Sequence, residues 1–276
     1  MNSLKPRLMT AAVGIPVAVI VMLLTELWRP LAGIIVGIAT AVMILEYLNA
    51  RRLTACIPLT VACVAFALFT PMLVTTNLWY VAAVLYMTGV CCVLVFQHKK
   101  LSYASFTYAV FGTVLITFGM SAFAVAVNNK VSASFFFALM LLLPWMADGG
   151  GYFIGSKFGK RKLCPSISPK KTVEGAVGGL VFCLIAALVM GLVFQLWVIR
   201  DYKINFAAII IIALLDASAS ILGDITFSLI KRHLNIKDYG SFFPGHGGVL
   251  DRFDSIVFTA PLAVAVNSII PFFIEV

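Results

Sequence analysis

The stretch Ser228–Asp254, SLIKRHLNIKDYGSFFPGHGGVLDRFD, gathers three aspartates (Asp238, Asp251, Asp254), two histidines and four basic residues, although only 11% of the chain is charged. Such residue types suit the handling of anions. Asp251 and Asp254 are spaced i, i+3, so a helix starting near them would project both to one side. There they could hold one divalent ion jointly, since Mg²⁺ takes oxygen ligands and commonly bridges carboxylates to substrate phosphates. The alternative is acidic capping of a helix start, paired with Arg252. His246 lies between Gly245 and Gly247, where backbone can approach a phosphate closely, and it would serve as a donor or an acid–base group. His98, beside Lys99 and Lys100, reads as a solvated loop residue.

Two other stretches carry polar groups into an apolar chain. Asp216, Ser220, Asp224, Ser228 and Lys231 recur at intervals of four, four, four and three, a stripe along one helix face. An intramembrane carboxylate costs about 2.5–3.5 kcal/mol on insertion scales, so Asp148, Asp216 and Asp224 require a polar interior or a wet cavity. Between Asp148 and Gly179 the chain is rich in Gly and Lys. Lys170 and Lys171, followed by Thr172 at the start of a helix, would combine two point charges with free N–H groups as a phosphate receptor. Positive-inside retention and attraction to anionic lipid explain the basic count but not the order Ser168-Pro-Lys-Lys-Thr-x-Glu-Gly. No Walker loop is present. Gly175 and Gly179, one turn apart, suit close helix packing.

The elements that must position these groups are transmembrane helices. The 276 residues are 62% hydrophobic, with a mean hydropathy of +1.06 and repeated apolar runs of about 20 residues. Spans are expected near 8–28, 31–48, 55–74, 77–96, 103–127, 132–154, 174–199, 206–227 and 255–274. The expectation is thus an all-α polytopic membrane protein with nine helices. Its parts would be an N-terminal scaffold (1–100), middle helices with the basic loop (101–173) and C-terminal helices with the polar stretch (174–276). MNSLKPR and the apolar run after it read as the first span, because no small-residue cleavage site opens onto a polar domain. With the N-terminus in the cytoplasm, sixteen of the 20 Lys and Arg fall inside, leaving Arg29, Lys130, Arg200 and Lys203 outside. The +9 net charge is then a topology signal, and nucleic-acid binding is disfavoured for want of a soluble basic face. Six cysteines lack metal-ligand spacing and read as inert thiols. Glu46, near the inner end of the second span, is expected to pair with Arg51 or Arg52.

Ser228, Lys231, Arg232, Lys237, Asp238, Pro244, His246, Gly247, Gly248, Asp251, Arg252 and Asp254 together resemble the signature of the phosphatidate cytidylyltransferases, or CDP-diacylglycerol synthases. Ile167-Ser-Pro-Lys-Lys-Thr-x-Glu-Gly175 is similar to a second block of that family. One departure is Gly151, where relatives usually carry alanine before the tyrosine.

The resemblance implies that CTP and phosphatidate give CDP-diacylglycerol and pyrophosphate, at a site on the cytoplasmic side of the C-terminal helices. It implies Asp224, Asp251 and Asp254 as ligands of Mg²⁺, with a second cation such as K⁺ beside it. Lys170, Lys171, Lys231, Lys237 and Arg252 would contact phosphates, and His246 would orient CTP. Asp148, Ser168, Thr172, Ser228, Asp238, Gly247 and Gly248 complete the implied site. A homodimer in a bacterial inner membrane is also implied. A CTP-dependent lipid kinase would share the helical body but pass the γ-phosphoryl group to an alcohol. A transporter using the intramembrane carboxylates would show broken helices and repeated halves, and neither is visible.

Overall fold

A backbone in hydrocarbon has no water to bond with, and a helix satisfies it within one segment. The computed structural model describes residues 4–76, 78–128, 131–198, 201–242 and 247–275, with side chains from residue 16 onward. Its helices are α1 (Leu4–Leu27), α2 (Pro30–Ala50), α3 (Ile57–Leu73), α4 (Trp79–Phe96), α5 (Tyr103–Val127), α6 (Ala133–Phe158), α7 (Val173–Trp197), α8 (Phe206–His233), α9 (Leu250–Phe253) and α10 (Ile256–Ile269). Six of them, α2 and α4 to α8, are long and apolar enough to cross a membrane. α3 and the Pro16–Leu27 part of α1 are shorter apolar helices. Leu85, Phe96, Phe118 and Leu196 present their side chains outward, as a bilayer-facing surface requires.

Two departures from an all-helical reading bear on the polar segments. The basic stretch after α6 folds as an antiparallel pair, β1 (Lys162–Cys164) and β2 (Ser168–Thr172), with an irregular register. The expected last span, 255–274, is shorter in the structure, where α10 ends at Ile269 and a separate short α9 precedes it. Asp254 Oδ1 accepts the Ser255 N–H at 2.8 Å, a local bond that competes with helical pairing and separates α9 from α10. Beyond α10, Pro271 cannot donate to a continued helix. The chain then forms β4 (Phe273–Glu275), paired with β3 (Tyr202–Ile204).

The chain divides into two compact units, Met1–Asn128 with His233–Phe253, and Asn129–Arg232 with Asp254–Val276. In the first, α2 packs on α3 and α5. Tyr47 of α2 stacks on Tyr108 of α5, with centroids 4.2 Å apart. The Tyr108 hydroxyl donates to the Tyr47 carbonyl at 2.9 Å, which anchors the last turns of α2. The polar stretch 233–253 therefore belongs to the same unit as the N-terminal helices, which are more than a lipid-facing scaffold.

In the second unit α6 and α7 approach closely along a glycine stripe. A Cβ added at Gly179 would lie 2.5 Å from the Ala147 carbonyl oxygen, and one at Gly175 would lie 2.7 Å from that of Gly151. Small residues here let two backbones meet, as expected from the sequence. An aromatic cluster closes the far end: Phe135 meets Phe194 edge-on at 5.3 Å and Phe273 at 4.9 Å.

Candidate active site

The polar stripe of α8 lies on the buried side of that helix. Asp216, Ser220 and Lys231 are buried, whereas Leu214, Leu215, Leu222 and Leu229 on the other faces are exposed. Asp224 and Ser228 are half-buried. The Ser228 hydroxyl donates to Asp224 Oδ1 at 3.1 Å. Asp224 Oδ2 lies 2.5 Å from Lys171 Nζ. Lys171, half-buried at the end of β2, reaches α8, while Lys170 stays exposed.

The start of α7 differs from the open phosphate receptor expected there. Thr172 is the N-cap, and its hydroxyl oxygen accepts the Gly175 N–H at 3.1 Å. Glu174 accepts the N–H groups of Lys160 at 3.0 Å and Arg161 at 3.2 Å. These contacts fix the β1–β2 hairpin to the helix start. Ser168 is half-buried in β2.

Asp254, 8% exposed, follows α9 in the chain and belongs to the unit of α8. Burial, with the nearby carboxylates of Asp224 and Asp148, pushes its carboxyl up to about 7, while Lys231 and the Ser255 N–H pull it back. The carboxylates of Asp224 and Asp148 thus both act on Asp254, with the Lys231 ammonium opposing them and Lys171 paired to Asp224. Oxygen donors carrying crowded negative charge fit a hard divalent cation. Among the described residues, no three His, Cys, Asp or Glu side chains are grouped as a ready-made metal centre.

Asp251 belongs to the other unit and is organised differently. Its Oδ2 accepts the N–H of Tyr239 at 2.8 Å and that of Gly248 at 3.0 Å. Gly247 has φ +83°, and a Cβ there would sit 2.9 Å from the same oxygen, so the turn requires glycine. Lys237, Asp238 and Arg252 are exposed. His246, with Pro244 and Gly245, lies outside the described residues.

Glu46 departs from its expected role. Its carboxylate accepts the N–H groups of Val249 at 3.0 Å and Leu250 at 2.8 Å, in place of pairing with Arg51 or Arg52. The Arg51 guanidinium lies 5.4 Å from the centre of the Tyr108 ring instead. Nothing in the spacing could name a partner some 200 positions away. The signal available was a lone carboxylate in an apolar span.

Comparison with known proteins agrees with the motif. The sequence model of the cytidylyltransferase family matches residues 5–270, nearly the whole chain. The chain belongs to the cytidylyltransferase family. It is 45% identical over 126 residues to a phosphatidate cytidylyltransferase of Bacillus subtilis, covering 46% of this chain and 44% of that protein. A phosphatidate cytidylyltransferase of Staphylococcus saprophyticus is 39% identical over 158 residues, 57% of this chain and 58% of the relative. One from Haemophilus influenzae is 41% identical over 127 residues, 46% of this chain and 43% of the relative. The chain spans about half the length of the curated relatives it matches.

Proposed function

We propose that this chain is a phosphatidate cytidylyltransferase, in which an oxygen of the phosphatidate phosphate attacks the α-phosphorus of CTP. The new P–O bond gives CDP-diacylglycerol, and the broken bond between the α-phosphorus and its bridging oxygen releases pyrophosphate. The observation that carries the reading is the charged face of α8, where Asp224 stands beside Ser228 and the Lys171 ammonium, with Lys231 one turn further on.

Both substrates are anionic, so the main task of the residues is to hold like charges together. Lys171 and Lys231 supply ammoniums in a partly desolvated setting, where they act more strongly on phosphates than in bulk water. Lys170, Lys237 and Arg252, all exposed, are free to meet the outer phosphates. By resemblance to the family, Asp224, Asp251 and Asp254 would be the ligands of Mg²⁺, with a second cation such as K⁺ also required. When bound, the divalent ion would neutralise charge on the phosphates and the leaving pyrophosphate. Phosphatidate is already ionised near neutral pH, so no strong general base is needed and positioning dominates.

In this reading nine helices span a bacterial inner membrane with the N-terminus in the cytoplasm. CTP then arrives from the cytosol and phosphatidate laterally from membrane lipid. The protein works as a homodimer, by resemblance to the family.

Reconstituted protein given phosphatidate, CTP and Mg²⁺ is expected to form CDP-diacylglycerol and pyrophosphate in equal amounts, followed by mass spectrometry and a pyrophosphate assay. A phosphorylated lipid alcohol with CDP as the co-product would overturn the reading.

A further inference from the structure

Glu46 is a carboxylate carried by α2, far in sequence from every motif that marks the site. Its two oxygens are spent on consecutive backbone N–H groups, Val249 at 3.0 Å and Leu250 at 2.8 Å. The slot that receives it is built from absent side chains. A Cβ at Gly240 would lie 2.7 Å from Glu46 Cδ, and one at Gly248 would lie 2.6 Å from it. Both flanks of the glycine turn therefore close on one carboxylate.

A second carboxylate works from inside the turn. Asp251 joins Tyr239 to Gly248 through its Oδ2, immediately beyond the two amides that Glu46 holds. Glu46 itself is held firmly. Its neighbour Tyr47 is buried, stacked on Tyr108, and Tyr239 lies 6.0 Å from the Tyr47 ring. Hydrogen bonds to an ionised acceptor are about twice as strong as neutral ones. A group that anchors two adjacent amides sets the direction of the residues that follow, here Asp251 and Arg252.

We propose that Glu46 is a positioning residue that clasps the Gly248–Leu250 backbone to α2 and thereby fixes the aim of Asp251 and Arg252. The consequence for turnover rests on the proposed cytidylyl transfer; the clasp itself does not.

The test uses the full-length protein in lipid nanodiscs, with amide exchange and steady-state kinetics measured together. In Glu46→Ala, exchange at Val249 and Leu250 is expected to quicken by about tenfold or more. In Glu46→Gln the amide nitrogen must face a donor. Its kcat is expected to fall about 10- to 100-fold, the range for a lost charged hydrogen bond, with KM for CTP little changed and Tm retained. Glu46→Asp, which keeps the charge, is expected to restore part of kcat.

Gly240→Ala supplies a readout that a general loss of stability would not move. It pushes on the Glu46 carboxylate, so it should lower kcat in the native background and do nothing further in Glu46→Ala. If Glu46→Ala does not fold, the same comparison is made in Glu46→Asp, whose carboxylate is drawn back by one methylene from Gly240, and the loss from Gly240→Ala should shrink. Unchanged exchange at Val249 and Leu250, or an equal effect of Gly240→Ala in both backgrounds, would overturn the clasp. A native protein that transfers no cytidylyl group while its exchange still responds to Glu46 would support the clasp and refute the reaction.

Discussion

Lys171 Nζ lies 2.5 Å from Asp224 Oδ2, joining the β1–β2 hairpin to the polar face of α8. The two side chains are only 21% and 28% exposed, so the contact is partly desolvated, and its attraction is largely offset by the cost of taking both charges out of water. Its importance is chemical, because it sets an ammonium beside a carboxylate that would otherwise stand next to Asp254 without it.

Lys171→Met should therefore leave Tm almost unchanged and lower kcat/KM for CTP about 10- to 100-fold, the range for losing one charged hydrogen bond. Lys171→Arg should recover only part of this, since a planar fork does not replace a compact ammonium. Steady-state kinetics beside thermal unfolding checks both. A fall in Tm with unchanged kinetics would make the pair purely structural.

The two aspartates of the Asp-Arg-x-Asp ending should behave differently. Asp254→Asn removes a buried, charge-crowded carboxylate and is expected to abolish turnover with Tm kept or raised. Asp251→Asn keeps one acceptor oxygen, but its amide nitrogen meets the Tyr239 or Gly248 N–H if it takes the place of Oδ2. It should lose turnover and also speed amide exchange at both positions. Near-normal turnover in either purified variant would count against its metal-ligand role.

Asp254 also makes a pH prediction. Its folded carboxyl is raised to about 7 from an ordinary value of 3.8, so the folded state keeps a proton that the unfolded chain releases. The corresponding stability is fully present below about pH 4 and is lost as pH rises through 7. Without divalent cations, Tm should decline across that window, and Asp254→Asn should flatten the decline. Adding Mg²⁺ at pH 6 should release protons, measured in a weakly buffered titration, because only the ionised carboxylate binds the cation.

Much of the helical body was legible because hydropathy runs report directly on burial in hydrocarbon. The α8 stripe was legible for a related reason: Asp216, Ser220 and Lys231 obey the helical period, and the structure buries all three. Short elements were not. Ser168-Pro-Lys-Lys-Thr172 has no apolar alternation to announce a strand, and its pairing with Lys162–Cys164 depends on the return of the chain. The break at Asp254 follows from one side-chain bond to the next N–H, which hydropathy cannot register. Glu46 was visible as an anomaly in an apolar span. Its true partners are backbone amides, which look alike in any sequence.

The α6–α7 stripe separates two glycines that look equivalent in sequence. A Cβ at Gly151 would meet the Gly175 carbonyl oxygen at 3.4 Å, an ordinary contact, whereas one at Gly179 would lie 2.5 Å from that of Ala147. Gly151→Ala should be tolerated and stabilise by about 0.5–1 kcal/mol through helix propensity. Gly179→Ala must push the helices apart and should cost about 1–3 kcal/mol. Thermal unfolding in one detergent compares them, and equal effects would contradict the packing described.

Cytidylyl transfer onto a lipid phosphate leaves its mark in the fate of the individual phosphates of CTP. Reconstituted protein is supplied with phosphatidate, Mg²⁺ and CTP labelled at either the α- or the γ-phosphate, and label is followed into the lipid extract. Label from the α-phosphate is expected in the lipid and label from the γ-phosphate in pyrophosphate, with both lost in Asp254→Asn. Transfer of γ-label to a lipid, or no transfer of either label by the folded native protein, would contradict cytidylyl transfer.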